Sequence, residues 1–597
     1  MDTLATLLAA HREGRRTPSE TVRETYRKIA DHHDSAIFIT LRPEAELLAE
    51  AAALEAAGAG DLPLYGIPVA IKDNIDVAGV PTTAACPEFA YVPEADATVV
   101  ARLRAAGALV IGKTNLDQFA TGLVGTRSPY GIPRNAFNAK LVPGGSSSGS
   151  ASAVSAGIVP IALGTDTAGS GRVPAMLQNI VGVKPSLGLV PNTGLVPACR
   201  TLDCISVFAL TVDDAMAALE VMAGFDPSDA YSRDLPLGTL GSLKRTPRLG
   251  FLPEDQREFF GDVDAAAAYE AALARFRDLG AELVPFDYAP FAECARLLYE
   301  GPWVTERWIA AQPLLTTHPD AVHPVTRAIT EPGGKASAAD AFRAGYRLKE
   351  LRARVAPVLT DLDALLLPTA PTAYTLDAVL ADNIRLNSRN GTYTNFVNLM
   401  DLCGTAVPNV IAASGIPYGI TLLAPAGLDA EVASLARAFV AASDLPLGAS
   451  GERATLPALP PLREAGRMDL CVFGAHLSGM ALNGELLELG ARPVGPVTTA
   501  PLYRMALLKG SVPRPAVVRV STGGASVAGE VWSLPLEGIA RLLGRIPSPL
   551  GFGRVTLADG SEVQGFLAEA AGTDGCEDIT AFGGFRAYMA ARMAKSA

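Results

Sequence analysis

Two glycine- and serine-rich segments that flank one short apolar run constrain the fold of this chain most strongly. The first, 144–150, contains four serines, and the second, 164–172, contains one, Ser170. The run between them, 158–163, is typical of a buried strand. A flexible linker would be rich in glycine and serine throughout its length. We therefore expect two loops held in place by a buried strand, with serines available for chemistry.

The order of the predicted elements favours an α/β fold with a mostly parallel or mixed sheet. Apolar runs predict strands at 64–71, 109–111, 248–252, 282–285, 364–368 and 417–423. Helical patterns lie between them, and the chain is helical throughout 287–355, which predicts an insertion over the sheet. We also predict a helix capped by Asn115 and another over 395–402.

A change in composition near residue 445 predicts a domain boundary. The chain has 597 residues, enough for at least two domains. We expect the first domain at 1–445 and a proline-rich linker at 446–466. Short strands separated by glycine-rich turns then predict a smaller α+β domain at 467–597, which ends in a helix over 579–595.

Composition argues against several classes of function. The net charge is −12 and the pI is about 5.2, which disfavours nucleic-acid binding. Seven cysteines without a CxxC pair indicate a reduced cytoplasmic protein without a zinc site. The N-terminus does not resemble a signal peptide, and no long apolar run predicts a membrane-spanning helix.

The histidines are placed badly for a serine–histidine hydrolase. The chain has six, and none lies between residues 34 and 317, where both serine segments fall. A phosphate-binding loop is excluded because no Gly-Lys-Ser/Thr follows the glycines. Lys72, at the end of an apolar strand, could act as a base if burial keeps it neutral. The alternative is a solvated lysine at the surface.

Three segments resemble the amidase signature family. They are Ile71-Lys72-Asp73-Asn74, Gly144-Gly145-Ser146-Ser147 and residues 164–174, in the family's order and spacing. The resemblance covers about 1–445 and implies a mixed β-sheet core covered by helices. It implies Ser170 as nucleophile, Ser146 in a cis conformation as proton relay and Lys72 as base, with no metal or cofactor. The implied oxyanion donors are the backbone N–H groups of Thr167, Ala168, Gly169 and Ser170.

Two further segments are similar to the allophanate hydrolases of this family. They are residues 120–131 and residues 298–307, which contain Tyr-Glu-Gly-Pro-Trp-Val-Thr-Glu-Arg. The resemblance places Tyr299 and Arg307 on the substrate carboxylate, with Gly122 and Gly125 beside it. From the residues alone, Arg307 could instead be a solvated arginine paired with a neighbouring glutamate.

Residues 472–483 resemble the start of the allophanate hydrolase C-terminal domain, which is similar to the γ-glutamylcyclotransferase fold. In the resembling eukaryotic enzymes, a histidine that matches His476 is implicated in decarboxylation. The alternative is a loop histidine in a domain that serves oligomerisation. No counterpart of the cyclotransferase's catalytic glutamate is evident near 551–554.

The resemblance implies hydrolysis of the terminal amide of allophanate, a carboxylated urea. The products are ammonia and N-carboxycarbamate, which loses carbon dioxide and a second ammonia. We expect a homodimer in urea catabolism, with the carboxylase on a separate protein because no biotin-attachment motif occurs. Two alternatives remain open: a broad amidase or the amidase component of an amidotransferase, and an inactive amidase scaffold that acts as a binding protein.

Overall fold

The chain divides into two compact units in the computed structural model. The structure describes residues 1–242, 246–453, 456, 458–459, 466–510 and 513–596. Of these residues, those up to 459 form one unit and those from 466 onward form the other. Much of the expected linker at 446–466 lies outside the described residues. No helix in the described ranges has the length and apolar character needed to cross a membrane.

The first unit is built on a mixed sheet of eleven strands within the described residues. The strands are β1 (Phe38–Leu41), β2 (Pro68–Lys72), β3 (Leu109–Thr114), β4 (Ile161–Asp166), β5 (Val181–Lys184), β6 (Cys204–Ala209), β7 (Arg248–Phe251), β8 (Glu282–Pro285), β9 (Ala364–Pro368), β10 (Leu402–Ile411) and β11 (Pro417–Pro425). Their order is β1-β3-β2-β4-β6-β5-β10-β11-β9-β7-β8. Strand β2 pairs in parallel with β3 on one side and β4 on the other. This confirms the predicted mixed α/β fold.

Fifteen α-helices of the described residues precede, separate and follow these strands along the chain. They are α1 (Leu4–Arg12), α2 (Pro18–His32), α3 (Glu44–Ala57), α4 (Thr98–Ala105), α5 (Ser148–Ser155), α6 (Val173–Leu177), α7 (Val212–Met222), α8 (Val263–Asp278), α9 (Ala289–Glu300), α10 (Val304–Thr317), α11 (Pro324–Thr330), α12 (Ala338–Asp361), α13 (Leu376–Ala381), α14 (Asn383–Asn390) and α15 (Asp429–Ala441). Helices α9 to α12 occupy most of the region 287–355, which the sequence pattern predicts as helical.

Small residues allow helix α5 to pack closely on the sheet. Ala151, Ala153 and Val154 of this helix are fully buried in a cluster that also contains Ala162 of β4. A Cβ atom at Gly149 would lie 2.3 Å from the carbonyl oxygen of Ile37, so only glycine fits there. The serine- and alanine-rich composition of this stretch therefore serves close packing beside the site.

Two predicted helices are wrong. Asn115 caps no α-helix, because its Nδ2 donates to the carbonyl oxygens of Ala36 (2.9 Å) and Gly131 (3.0 Å), which ties a loop together. Residues 395–400 form turns, and β10 begins at Leu402. The predicted strand 158–163 is displaced, because β4 starts at Ile161 and continues through residues expected in the second loop.

The second unit contains two smaller sheets. Its strands are β12 (Arg467–Val472), β13 (Arg492–Thr498), β14 (Tyr503–Leu508), β15 (Arg514–Arg519), β16 (Ala528–Pro535), β17 (Leu550–Thr556), β18 (Glu562–Ala568) and β19 (Glu577–Asp578), and its helices are α16 (Asn483–Glu488), α17 (Leu536–Leu543) and α18 (Phe585–Ser596). The sheet orders are β13-β16-β12-β18-β17 and β15-β14-β19. This unit has its own apolar core. The final helix starts at Phe585, six residues later than the sequence predicts.

Candidate active site

Lys72 ends strand β2, which lies between β3 and β4 in the large sheet, and its side chain has no exposed surface. Its Nζ donates to the hydroxyls of Ser146 (2.8 Å), Ser147 (3.0 Å) and Thr165 (2.6 Å). Burial lowers the pKa of Lys72 to about 7, although the carboxylate of Asp117 opposes the shift. The interpretation of Lys72 as a solvated surface lysine is therefore wrong.

The three hydroxyls around Lys72 suit the ammonium, which can donate to all three, and also the neutral amine. A neutral lysine has two N–H donors and one lone pair, so it can donate to two hydroxyls and accept a proton from the third. Sequence reasoning did not find Thr165 and Ser147 as partners of the lysine. The position of Thr165 follows from the pairing of β2 with β4, in which Ile71 lies opposite Leu163. Ser147 precedes α5, and its Oγ accepts from the Thr165 N–H at 3.3 Å.

The segment that carries Ser146 lies between a tight turn and helix α5. The Gly145–Ser146 peptide bond is cis, and the carbonyl oxygen of Ser146 accepts a hydrogen bond from the Asp117 N–H at 3.0 Å. A Cβ atom at Gly145 would lie 2.1 Å from Asp117 Oδ2. The second residue of the Gly-Gly-Ser-Ser motif is therefore a glycine because the Asp117 carboxylate occupies the space.

A buried ion pair shapes the loop that carries Ser170. Asp166 Oδ2 accepts from Arg172 Nε at 2.8 Å, and neither side chain is exposed. The same carboxylate accepts from the N–H groups of Gly169 (2.8 Å) and Gly171 (3.0 Å). Because the Gly169 N–H is bound inside the loop, it is not available to an oxyanion. Of the four expected donors, Thr167, Ala168 and Ser170 have no such contact with Asp166, and the oxyanion role of these groups stays a prediction.

The Ser170 hydroxyl points toward a neighbouring loop. Its Oγ donates to the carbonyl oxygen of Gly122 at 3.4 Å, a long contact. Within the described residues it shares no hydrogen bond with Ser146, the expected relay. Hydrogen bonds of this kind often tighten only when substrate binds. The structure thus brings Lys72 and Ser146 into contact, whereas the Ser170 hydroxyl contacts Gly122.

Asp203 is a buried carboxylate that sequence reasoning missed. Its carboxylate accepts hydrogen bonds from the Thr167 hydroxyl and from the N–H groups of Ala198 (2.8 Å) and Cys199 (3.1 Å). Burial raises the pKa of Asp203 to about 6, against the effect of these hydrogen bonds. Asp203 therefore holds the first residue of the Ser170 loop. It lies just before β6, outside every motif, so no local signal marks it.

Arg307 and Tyr299 come together although they lie on different helices, α10 and α9. Arg307 Nη2 donates to the Tyr299 hydroxyl at 3.2 Å, and its guanidinium carbon lies 5.2 Å from the centre of that ring. Arg307 Nη1 donates to Thr121 Oγ1 at 3.0 Å. Burial acts to lower the pKa of Arg307, yet Tyr299 and Asp203 hold it above its ordinary value.

The interpretation of Arg307 as a solvated arginine is wrong, because the residue is only 2% exposed. Its neighbour Glu306 accepts instead from the N–H group (2.9 Å) and the hydroxyl (2.5 Å) of Thr201. Arg307 Nε is buried and has no hydrogen-bond partner in the part of the chain that the structure describes. A buried cation with a free donor is suited to bind a small anion.

Gly122 and Gly125 lie where a side chain would collide with the site. A Cβ atom at Gly122 would lie 2.3 Å from Asp117 Oδ2, and one at Gly125 would lie 2.5 Å from the carbonyl oxygen of Gly144. Gly125 also has a φ of +75° and donates its N–H to Asp117 Oδ2 at 2.9 Å. Both glycines therefore allow three backbone segments to meet beside Ser146.

The second unit has its own cavity, which contains His476. Its volume is about 630 Å3, including the part open to solvent. The His476 ring stacks on Phe566 with 5.1 Å between ring centres, and its Nε2 lies 3.2 Å from Glu485 Oε2. Burial lowers the pKa of His476, although Glu485 opposes the shift. Arg514 lines the same cavity.

A comparison with protein families identifies the first unit. Residues 20–433 match the family model described as Amidase. The chain belongs to the amidase family. In this amidase, residues 468–590 also match the model of the allophanate hydrolase C-terminal domain.

Individual relatives differ in how much of the amidase they match. Urea amidolyase of Lachancea kluyveri is 42% identical over 92% of this chain and 31% of that protein. The chain thus spans about a third of the first curated relatives it matches. A glutamyl-tRNA(Gln) amidotransferase component of Picosynechococcus is 35% identical over 68% of this chain and 91% of that protein. The structure of Kluyveromyces lactis allophanate hydrolase matches 99% of each chain at 40% identity, with a TM-score of 0.82.

Proposed function

We propose that this amidase hydrolyses the terminal amide of allophanate by a Ser-Ser-Lys mechanism. The observation that carries this substrate is the pair of Arg307 and Tyr299, a buried cation with a free N–H beside a phenol. Allophanate is a small anion with little apolar surface, so its binding depends on such polar anchors. The match to K. lactis allophanate hydrolase over 99% of both chains supports the same choice.

The chemistry begins when the substrate carboxylate binds Arg307 and Tyr299. The Ser170 hydroxyl turns from Gly122 toward Ser146 and attacks the terminal amide carbonyl. Its proton passes to Ser146, whose own proton passes to the neutral amine of Lys72. The N–H groups of Thr167, Ala168 and Ser170 stabilise the oxyanion, and Lys72 returns the proton through Ser146 to the leaving ammonia.

Water then completes the cycle at the same groups. With Lys72 neutral again, the relay activates a water molecule that attacks the acyl group on Ser170. The products are free Ser170 and N-carboxycarbamate. This product loses carbon dioxide and a second ammonia, so the overall yield is two ammonia and two carbon dioxide.

The cavity of the second unit is the proposed place for that decarboxylation. His476 and Arg514 line it, and a cationic side chain there suits an anionic intermediate. The competing role for this unit is assembly of the oligomer. In that case the loss of carbon dioxide from N-carboxycarbamate is spontaneous.

Substrate anchoring is tested by Arg307→Ala in the full chain. Loss of a charged anchor removes about 1.5–3 kcal/mol of binding, so KM for allophanate should rise by about one to two orders of magnitude. Ammonia release measures this. Turnover of neutral aliphatic amides serves as the control, and an unchanged KM for allophanate would remove Arg307 from the site.

The amidase component of an amidotransferase is the second candidate function. It is favoured by relatives such as the Picosynechococcus protein, which matches 68% of this chain over 91% of its own length. The second unit argues against it, since residues 468–590 match the allophanate hydrolase C-terminal domain. Faster ammonia release from glutamine or simple amides than from allophanate would select this candidate.

An inactive scaffold that only binds ligands is a further alternative. The contacts of Lys72 with Ser146 and Thr165 support an active site instead. A fluorophosphonate probe should label the wild-type chain and fail to label Ser170→Ala. Absence of labelling in both would favour the scaffold.

The proposed setting is the cytoplasm, with the protein a homodimer in urea catabolism. Urea amidolyase of L. kluyveri extends well beyond the region that this chain matches. We expect a urea carboxylase activity to supply allophanate here. Light scattering of the purified chain would measure the oligomer, and the mass of a monomer would refute the dimer.

A further inference from the structure

Arg127 is a buried cation that has no role in the proposed mechanism. Its side chain has no exposed surface. It donates to neutral oxygens: Nη1 to the carbonyl oxygen of Thr121 at 2.6 Å, Nε to Asn383 Oδ1 at 2.8 Å and Nη2 to the Asn383 carbonyl at 3.4 Å. Arginine stays charged even when burial lowers its pKa, as it does here. A buried charge whose fork binds neutral oxygens is costly in free energy, which points to a specific role for Arg127.

Helix α14 holds the same loop at two further points. Asn383 Nδ2 donates to Thr126 Oγ1 at 3.0 Å, and Asn387 Oδ1, one turn later, accepts from the Leu123 N–H at 2.7 Å. Together with Arg127, these contacts fix the backbone of residues 121–127. The loop is therefore a rigid piece rather than a free connection.

The fixed loop touches both ends of the proposed substrate site. The Thr121 hydroxyl accepts from Arg307 Nη1 at 3.0 Å, and the carbonyl oxygen of Gly122 accepts from Ser170 Oγ at 3.4 Å. One residue thus contacts the carboxylate anchor, and the next contacts the nucleophile. The position of this single peptide sets the spacing between the two groups.

We propose that Arg127 is a positioning residue that fixes the spacing between Arg307 and Ser170 through Thr121 and Gly122. It thereby restricts turnover to amides whose carboxylate carbon is one atom from the attacked carbonyl carbon, as in allophanate. The proposal rests on the proposed function. A misplacement of about 1 Å can lower a rate by about 100-fold, so a rigid spacer discriminates strongly by length.

The test compares four amides on the full chain. Allophanate and malonamate share the one-atom spacing and the negative charge, succinamate is one methylene longer, and biuret is neutral. The enzymes are the wild type, Arg127→Met, Arg127→Lys and the control Arg42→Met. Arg42 is also largely buried in the amidase unit, but its Nη1 donates to the carbonyl oxygen of Val110 at 3.1 Å and it pairs with glutamates.

Arg127→Met should lower kcat/KM for allophanate and malonamate by about 100-fold. The same variant should change kcat/KM for succinamate by only about threefold. The ratio of kcat/KM for the short amides to kcat/KM for succinamate therefore falls. The kcat/KM of Arg127→Lys for the short amides should lie between the values of the wild type and of Arg127→Met. An ammonium can reach Thr121 or Asn383 but has no planar fork to bind both. Arg42→Met should keep the wild-type preference.

Equal losses on all four amides in Arg127→Met would show a scaffold role only and overturn the proposal. If that variant does not fold, Asn383→Ala takes its place, since it removes one acceptor of Arg127 and one donor to the loop. A smaller shift in the same direction supports the proposal, and an unchanged length preference overturns it. A wild type that is inactive on allophanate would instead refute the proposed function.

Discussion

At the scale of single residues, the protonation of Lys72 controls the site. The three hydroxyls that surround its Nζ do not compensate a full positive charge, and burial lowers the pKa to about 7. The amine that we propose as the proton acceptor is thus close to half neutral near pH 7. This is the balance that a general base requires.

Replacing Lys72 by methionine should therefore reduce kcat by about 100- to 10,000-fold, the range of general base catalysis. In the wild type, kcat/KM should rise as the pH increases through about 7, because only the neutral amine accepts a proton. A pH–rate profile from pH 5 to 9 measures this. A flat profile, or robust activity of Lys72→Met at neutral pH, would contradict the assignment.

The same group links stability to pH. The pKa of Lys72 is about 7 in the folded chain against an ordinary 10.5, so the unfolded chain binds more protons between these values. The free energy of unfolding contributed by Lys72 should therefore rise with pH from about 7 to about 10.5. Denaturant unfolding of Lys72→Met should lack this rise, and an identical pH dependence in both chains would place the pKa elsewhere.

Asp203 provides the next residue-scale prediction. Asp203→Asn removes the charge that accepts from Thr167 and two backbone N–H groups, so kcat should fall by about tenfold or more as the Ser170 loop shifts. Asp214 is a matched control, because its buried carboxylate also has a pKa of about 6 but binds the N–H groups of Leu4 and Ala5. Asp214→Asn should change stability alone, and equal kcat in both variants would contradict the role of Asp203.

Sequence reasoning at this scale found residues to which the family resemblance gives a role and missed contacts that form only in the fold. Lys72, Ser146 and Ser170 are marked by three segments of fixed order, and their roles remain predictions. Thr165 and Asp203 are brought to the site by strand pairing and by loop closure, over long sequence separations. Such contacts produce no periodic pattern and no local motif in the sequence.

At the scale of elements, the loop after β4 depends on one glycine. Gly169 has a φ of +130°, and a Cβ atom there would lie 2.5 Å from Thr394 Oγ1. Gly169→Ala should therefore move the loop and lower kcat by about 100-fold with a smaller change in KM. Gly415→Ala is the control, since its φ is also positive but no atom lies within 4 Å of its Cβ position. Equal kcat in the two variants would contradict a specific role for Gly169.

The sequence predicts the elements unevenly, for physical reasons. Strands such as β9 and β8 match their predicted bounds because apolar runs with proline ends are strong local signals. Helix α5 falls where the sequence favours a loop, since serine and glycine are poor helix formers. Close packing against the sheet overrides that preference. The apolar pattern at 395–400 favours a helix, but there Asn398 Nδ2 donates to the carbonyl oxygen of Asp166, a distant contact that the pattern does not reveal.

At the scale of the whole molecule, two units with separate cores carry separate predictions. His476→Ala in the second unit should leave the first ammonia release unchanged and slow carbon dioxide release, if that unit catalyses decarboxylation. Both gases should be followed on the full chain. Glu485→Gln, which removes the carboxylate beside the ring, should give a weaker effect of the same kind. Unaltered carbon dioxide release in His476→Ala would leave the unit without a chemical role.

The proposed catalytic residues and the proposed substrate-binding residues lie on different elements, which bears on how such enzymes diverge. The proposed base and nucleophile belong to β2 and to the loop after β4, whereas the proposed anchors Tyr299 and Arg307 belong to α9 and α10, outside the sheet. Mutations in those two helices can change which amide is accepted and leave the hydroxyl network around Lys72 intact. An enzyme lineage with this arrangement can come to use a new amide as its nitrogen source when only the substrate-binding helices change and the catalytic residues stay the same.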